Sequence, residues 1–578
     1  MIRYSAVRLL AFLTLMSVLA GCNRDNVITG SLPPVINFDN GTGMYSVVAG
    51  EELVIAPVYT NVDDATTYRW TLDGRVIGDG PQLCRVWEDV GEHYVILSVR
   101  SEGGSASEEV LVEVTPTPLP GILLPLDGDA LTVRVDSEYK FAPVFTNADG
   151  LQVRWIVDGE PVSDEREYTY RAGSDAGTHT LVIEAANSYG TSRREISIDV
   201  VAELPVRLEF LPLTNLSAST MRYTFAGRGV YLSPFTAGVD ASGLEWSVDG
   251  RATGHSGAGY MFVPSAPGEY VVTVTAAGRY AASVTVVCVS VTEDSRFRAG
   301  SVGTQTRVFE YMPAPGQFIN DTGIGGMTGA ETTPDAAAQW AQRRMERGTA
   351  VSLGGFGGYI VVGFDHSIPA TAGEFDFSVL GNAFLGDNTG AGTGGSNEPG
   401  IVYVMQDVNG NGLPDDEWYE LRGSEDDKAV VQYAVTYFRP QGVRLPVMWL
   451  DSRGSSGSID YIADIHPQES YYPAWIQEDS YTLYGTCLPA ANYQEASGLW
   501  VNPPFGWGYA DNYGSDVVAS GDDNGTGQRN GFSISRAVYP DRTPVKLKYI
   551  DFIKVQTGVN SKSGHLGELS TEVCGFEG

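Results

Sequence analysis

The sequence predicts an all-β protein: three small β-sandwiches in tandem, followed by a larger, jelly-roll-like β-sandwich domain with one prominent helix. Three observations carry this prediction. A tryptophan stands three residues before an Asp-Gly pair three times, in YRWTLDG from Tyr68, VRWIVDG from Val153 and LEWSVDG from Leu244. Each copy is followed by a run of alternating apolar and polar residues: GEHYVILSV from Gly91, GTHTLVIEA from Gly177 and GEYVVTVTA from Gly268. After about residue 294 the repeat stops, glycine and aromatic residues rise, and a single segment carries helix signals.

Period-two alternation bounded by turn residues argues for short antiparallel strands. The first two copies share an earlier strand as well, IAPVYTN from Ile55 and FAPVFTN from Phe141. A tryptophan inside a strand that ends in an Asp-Gly hairpin resembles the PKD and immunoglobulin-like sandwiches, in which that ring fills the space between two sheets. The modules are expected at 34–116, 117–202 and 203–293, with TPTPLP from Thr115 and ELP from Glu203 as stiff punctuation and 294–578 as the last domain. Their tryptophans match core positions, so the modules read as a stalk and not as the binding part.

The first residues carry a second message. Arg3 and Arg8 precede an apolar run, Leu9 to Leu19, that is too short to span a bilayer, and it ends in Leu19-Ala20-Gly21-Cys22. That tetrapeptide resembles the bacterial lipobox. It predicts a signal peptide over 1–21, lipidation of Cys22, a tether over 22–33 and a lipoprotein of the outer membrane, on the cell surface. Asp25 is the one acid directly after Cys22, which leaves the choice between the outer and the periplasmic face open.

The chain of 578 residues has a formal charge of -34, and removing a signal that carries two arginines gives -34 - 2 = -36. So acidic a surface repels phosphate backbones and excludes nucleic acid as a natural partner. It suits hard cations instead. Cysteines 84, 288, 487 and 574 are scattered singly, against zinc ligation or a disulfide scaffold. Cys84 and Cys288 read as small core residues, and Cys487 with Cys574 as a possible disulfide pair.

In the last domain, TTPDAAAQWAQRRMERG predicts a helix capped by Thr333, opened by Pro334 and stopped at Gly348. Ala337, Trp340, Ala341 and Arg344 share a face, so Trp340 is expected to pack the helix on a sheet. GGFGG from Gly354 lacks the lysine and the helix of a phosphate loop and reads as a turn. Strands are expected in AVSLGGFGGYIVVGF, GEFDFSVLGNAF, GIVYVMQDV and LKYIDFIKVQTGV.

DVNGNGLPDDEWYEL, from Asp407, places Asp407, Asn409, Asn411, the carbonyl of Leu413 and Asp415 at the first, third, fifth, seventh and ninth places of an EF-hand-type loop, with Gly412 at the sixth. The twelfth place holds Trp418, so Asp416, Glu417 or Glu420 would supply the missing oxygen. A structural calcium ion is the expected occupant. An Asn-Gly hairpin without metal is the competing reading.

His366, His466 and His565 are isolated and no nucleophile or metalloprotease spacing surrounds them, so the chain reads as non-enzymatic. What stands out is aromatic density on loop-like sequence. QESYYPAWIQEDSYTLYG and GLWVNPPFGWGYADNYGSD supply Tyr471, Tyr472, Trp475, Trp500, Phe505, Trp507 and Tyr509 as candidate ligand-binding residues, near Gln477, Asn502 and Asp511. Rings beside amides and carboxylates suit a flat or sugar-like ligand, although about half should be core on ordinary burial tendencies.

The segments APGQFIND, VSLGGFGGYIVVGFDHSI, DVNGNGLPDDEWYELRGSE, FGWGYADNYGSD and IDFIKVQTGVNSKSGHLGELSTEV together resemble the C-terminal domain of the BtuH-type lipoproteins of cobamide (vitamin B12) uptake loci in Bacteroidota. That resemblance implies a surface protein that captures a corrinoid as ligand and passes it to an outer-membrane transporter. The alternative is a glycan-binding or adhesive surface lipoprotein that uses the same rings on sugars.

Overall fold

The structure is a computed structural model and describes residues 32–217, 219–300, 303–386, 394–494, 498–521 and 527–578. The signal segment and Cys22 lie outside the described residues. The chain forms two compact units: the residues up to Pro120 with Asn187–Thr191, and Gly121–Ala186 with Ser192–Gly578.

Each tandem module is built by the same local rule. In the first, a five-stranded sheet runs in the order Met44–Val48, Gly104–Thr115, Gly91–Ser101, Thr67–Leu72, Arg75–Gly78, and its first pair is parallel. The second and third modules repeat this order, starting from Ala130–Arg134 and Arg222–Thr224. The three Asp-Gly pairs make the tight turn of the hairpin, with both residues left-handed: φ is 50° and 77° at Asp73 and Gly74, 50° and 87° at Asp158 and Gly159, and 47° and 74° at Asp249 and Gly250. Both central residues of a type I′ turn need positive φ, which Asp and Gly tolerate best. Just before the turn, Trp70, Trp155 and Trp246 are fully buried, and each indole Nε1 donates to a backbone carbonyl, of Gly80, Glu165 and Gly257, at 3.0, 2.8 and 2.9 Å. The ring fills the core while its only polar atom is satisfied.

The last domain has three layers. Its middle sheet runs Arg307–Met312, Tyr359–Pro369, Tyr549–Thr557, Gly400–Met405, Trp418–Leu421, Ala537–Val538, antiparallel throughout. Ile360 and Val362 point to one core, which holds the helix and the sheet containing Phe377–Gly381 and Gln528–Phe532. Tyr359 and Val361 point to another, shared with Val430–Phe438, Val447–Asp451 and Ser480–Cys487. Burial on both faces explains why these strands are apolar almost without interruption. The helix covers Pro334–Met345, Thr333 Oγ1 accepts from Ala336 N at 3.2 Å, and Trp340 stacks on Tyr311 with centroids 5.7 Å apart. Gly354 and Gly357 take φ of 75° and 86° in the turn expected at GGFGG. The four described cysteines are free thiols, so Cys487 and Cys574 do not pair. Cys84 is exposed and not a core residue, because its neighbour Leu83 takes the inward position on the strand.

The third module is joined to the last domain through buried polar contacts. Arg228 Nη2 lies 2.7 Å from Glu293 Oε1, with both side chains nearly buried, and Arg228 also donates to the Gln406 side chain. Arg222 Nε lies 3.0 Å from Glu417 Oε1, and Thr214 donates to Glu310 at 3.0 Å. Removing one partner from a buried ion pair costs about 3–5 kcal/mol. A fragment beginning at Ser295 loses Arg222, Arg228 and Glu293, whereas one beginning at Leu204 keeps them. The shorter fragment also opens Glu417 to water, so the magnitude is read from a substitution: Arg222→Ala, which leaves Glu417 buried and unpaired, should lower stability in urea by about 3 kcal/mol or more; an unchanged unfolding midpoint and slope would show that the pair contributes nothing.

Candidate functional site

The two aromatic segments split between core and surface. Tyr471, Tyr472 and Tyr509 are 1, 4 and 2 % exposed and fill cores, so they cannot present a ring to a ligand. Trp475 is half-buried and packs against both cores that flank the middle sheet. Phe505 meets Tyr509 edge-on at 5.6 Å, and Trp507 lies under Arg536, whose guanidinium is 4.1 Å from its ring. Trp500 is partly exposed, as Trp475, Phe505 and Trp507 are, and it lines a cavity.

That cavity has a volume of about 320 Å³ and a second indole, Trp449. Trp449 sits on Val447–Asp451, directly across from Gly457 in the neighbouring strand. A Cβ on Gly457 would fall 2.5 Å from the Trp449 ring, so the indole lies flat over bare backbone. Trp500 is seated in the same way: a Cβ on Gly564, at φ 62°, would run into its ring. Between the two rings the wall is polar. Lys562 Nζ pairs with Asp460 Oδ2 at 2.8 Å, and Asn560 and Ser561 add an amide and a hydroxyl. Glu568 closes the cavity beside Gln317. Gln317 N donates to Glu568 Oε2 at 2.9 Å, and Glu568 N donates to Gln317 Oε1 at 2.9 Å. Burial pushes the Glu568 carboxyl up to about 8. At neutral pH it is therefore a hydrogen-bond donor as well as an acceptor.

Sequence reasoning found Trp500 and missed Trp449 and Glu568. The signal for Trp449 was present: a tryptophan in VMWLD near SGSI, a strand whose first three residues are serine and glycine. Glu568 gave none, since one glutamate in so acidic a chain is unremarkable.

A second cavity, about 270 Å³, lies between the third module and the last domain. Lys554 points into it from the middle sheet, 8 % exposed, with Nζ 4.1 Å from the Tyr403 ring and 5.6 Å from that of Trp418. Burial pulls its ammonium down to about 8.

The loop after Gly400–Met405 is closed by its own hydrogen bonds. Asp407 Oδ1 accepts from Gly410 N and Asn411 N at 2.8 and 3.0 Å, and Oδ2 from Gly412 N at 3.0 Å. The amides of Asn409 and Asn411 donate to Asp415 at 2.9 Å each, and Asn411 Oδ1 accepts from Leu413 N. Asp416 supplies a further oxygen: its Oδ2 accepts from Val408 N at 2.6 Å, while Oδ1 is buried without a donor. The donor set is therefore oxygen-rich, with the more open side chains of Asn409, Asn411 and Asp415 and two buried carboxylates, Asp407 and Asp416, the chemistry that a hard cation accepts. The loop adjoins the joint and not the aromatic cavity. Arg296 donates to the Asn409 carbonyl at 2.9 Å, Asp415 and Asp416 lie near enough to Tyr223 of the third module to add to the burial that raises its hydroxyl, and Glu417 takes Arg222.

Residues 33–101 and 119–187 each match the family described as PKD-like domain. Solved structures similar to part of the chain include the Clostridium thermocellum CbhA fibronectin(III)-like modules, at 18 % identity over 29 % of this chain and 94 % of that one, TM-score 0.14. The I-band fragment I67–I69 from titin is 16 % identical over 44 % of this chain and 97 % of that one, TM-score 0.18. Drosophila OTK extracellular domains 3–5 are 13 % identical over 44 % and 97 %, TM-score 0.16. Likeness at that level carries no argument about function. No curated protein matches the chain significantly. The protein is all-β, with PKD/Ig-like sandwiches in tandem, an extracellular-type architecture consistent with binding or adhesion at a surface.

Glu568 gives a pH test. Its folded pKa is raised, so its contribution to stability is complete when both states are protonated and is lost as pH rises from the ordinary carboxylate range through about 8. Between pH 5 and 9 the melting temperature of Glu568→Gln should fall less than that of the parent, each ten-fold difference in acidity between the folded and unfolded chain being worth about 1.4 kcal/mol. Parallel curves for the two proteins would show that Glu568 ionises normally.

Proposed function

We propose that this chain is a lipid-anchored, non-enzymatic binding protein of the outer-membrane surface whose last domain captures a cobamide for uptake by an outer-membrane transporter. The observation that carries the reading is the pair of glycine-backed indoles, Trp449 and Trp500, facing one cavity with a polar wall between them. A corrinoid offers an apolar ring face and a rim of amides, and the cavity offers indole faces beside Asp460, Asn560, Lys562 and a protonated Glu568. The resemblance of the segments around Gly354, Asp407 and Ile550 to BtuH-type lipoproteins supports the choice of ligand. One observation favours a glycan instead: about 320 Å³ holds a single sugar-sized ring, whereas a corrin could insert only an edge. In both readings the first two tandem modules serve as a stalk and the third is fixed to the last domain, while a structural calcium ion at Asp407, Asn409, Asn411, the Leu413 carbonyl and Asp415, with Asp416 as the extra ligand, braces that joint.

Isothermal titration of the chain with cyanocobalamin and with a glycan panel distinguishes the ligands. Trp449→Ala or Trp500→Ala should weaken binding by about 2 kcal/mol, roughly thirty-fold, with the circular dichroism spectrum unchanged. Trp507→Ala, outside the cavity, should bind as the parent does. Binding of a glycan without cyanocobalamin gives the second reading, and full binding by both folded cavity variants removes this cavity from consideration.

For the loop, Asp407→Ala combined with Asp415→Ala should lower by one the number of calcium ions bound and shrink the rise in melting temperature that calcium produces by mass action. An unchanged stoichiometry leaves a loop held by hydrogen bonds alone.

A further inference from the structure

Three carboxylates converge inside the last domain, on residues that neither the aromatic cavity nor the Asp407 loop uses. Glu398 stands just before the strand Gly400–Met405, Asp511 follows the aromatic segment that carries Trp500 and Trp507, and Glu572 opens the strand Glu572–Val573. One oxygen from each lies within 4.8 Å of the others. Asp511 and Glu572 are 1 and 3 % exposed, and Glu398 keeps an opening to solvent.

The surrounding donors are neutral groups. Asp511 accepts from Asn382 N at 3.0 Å and Glu572 N at 2.9 Å; Glu572 accepts from Ser352 Oγ at 2.8 Å; Glu398 accepts from Ser396 Oγ at 3.1 Å and Ser570 N at 3.4 Å. None of the ion pairs among the described residues reaches any of the three. A buried set of like charges with no cation is unstable by itself, because desolvation and mutual repulsion both disfavour the ionised carboxylates. Without a cation the three carboxylates cannot all stay ionised.

A separate side chain points to what resolves this. Gln528 is fully buried, and its Nε2 donates to the Asn512 carbonyl at 3.2 Å and to Asn530 Oδ1 at 2.8 Å, which fixes which end of the amide is nitrogen. Its Oε1 then has no donor among the described residues. The place a Cβ on Gly381 would occupy is 3.0 Å from this oxygen and 2.9 Å from Asp511 Oδ1, so both oxygens border the space that Gly381 leaves open. A buried amide oxygen without a donor, beside a carboxylate without a cation, lacks the same thing on both counts.

We propose that Glu398, Asp511 and Glu572, with Gln528 Oε1, bind a divalent cation, and that the cation is calcium. The ligand atoms are all hard oxygens, with neither a histidine nor a cysteine among them. The ion ties four separate stretches of chain at one point: the approach to the middle sheet, the loop after the aromatic segment, the strand Gln528–Phe532 and the final strands. Through Asp511 it anchors the stretch that presents Trp500. The partly open Glu398 gives the ion its way in.

The test uses the full chain, stripped with chelator and titrated with calcium, magnesium or zinc chloride at pH 7.5. The Asp407→Ala, Asp415→Ala protein lacks the loop ligands and should still bind one calcium ion, with a higher melting temperature in calcium than in chelator. Adding Glu398→Gln, at the partly open ligand, should weaken that remaining site at least ten-fold with the circular dichroism spectrum retained. Adding Asp511→Asn with Glu572→Gln should abolish it, and these isosteric changes remove the repulsion, so the apo protein should melt no lower than the stripped parent. The proposal is overturned if the loop-deleted protein binds no calcium, if Glu398→Gln binds it as tightly as before, or if zinc displaces calcium at equal concentration. If the parent and the loop-deleted protein each bind one ion, the loop reading fails and this site stands.

Discussion

Arg228 organises the binding half of this protein. It leaves the third module and enters an almost dry space, where Glu293 neutralises it and the Gln406 side chain and the Lys546 carbonyl take two more of its hydrogens. Gln406 is in turn fixed by donating to Glu293 and to the Tyr549 carbonyl, 2.9 and 2.8 Å away. A guanidinium buried this deeply tolerates no sliding, because any shift leaves a charge unpaired in low dielectric. The third module therefore works as part of the last domain, and Arg222 on Glu417 repeats the arrangement a few residues away. The Asp407 loop acquires its meaning here: it carries the chain from the strand that ends beside Gln406 to Glu417, and its closure sets where that carboxylate stands.

The same joint creates the cleft that contains Lys554. The middle sheet is covered on one face by the helix and a sheet, and on the other partly by a second sheet and partly by the third module. Where the module covers it, the inward side chains are Lys554, Gln556 and Glu420 in place of the Ile and Val of the opposite face. Polar residues at such positions are tolerable because Arg542 pairs with Glu420, at 3.0 Å, and the rings of Tyr403 and Trp418 shield the ammonium. In a chain of net charge -34, folding brings Arg222, Arg542 and Lys554 together in this cleft, with Glu417 and Glu420 pairing the two arginines.

What was legible in the sequence was what is local. The Asp-Gly turns, the tryptophans before them, the helix with its Thr333 cap and its Trp340 face, and the turn at Gly354 all follow from residues a few places apart, where backbone sterics and side-chain period decide. Aromatic density around Tyr471 and Trp500 was equally visible, but which rings are core was not, because burial of Tyr471, Tyr472 and Tyr509 is decided by strands far away in the chain. The Trp449 and Trp500 pair depends on Gly457 and Gly564, two glycines that matter only through what lies above them. The carboxylate cluster is less visible still: Glu398, Asp511 and Glu572 share no motif, and only the sheet topology makes them neighbours.

The seating of the two indoles bears on how such a site gains affinity. A ring lying on a glycine has the backbone as its floor and little room to rotate, so it is held in its bound position before any ligand arrives. An indole on a mobile loop would have to be ordered on binding, at a cost of about 0.5–1.5 kcal/mol for each side chain immobilised. Trp449 avoids that cost through the register of its hairpin, which sets it opposite Gly457. Trp500 sits on a strand of only two residues, Leu499–Trp500, which cannot hold itself in place. Its position rests on Gly564 below and on Tyr493 at 4.8 Å beside it, and at the far end of its segment on Asp511, which is pinned by backbone N–H groups of two other stretches of chain. Rigidity at the mouth of the cavity is thus drawn from buried polar contacts well behind it, which is why a surface that presents a few aromatic faces needs so large and so polar an interior.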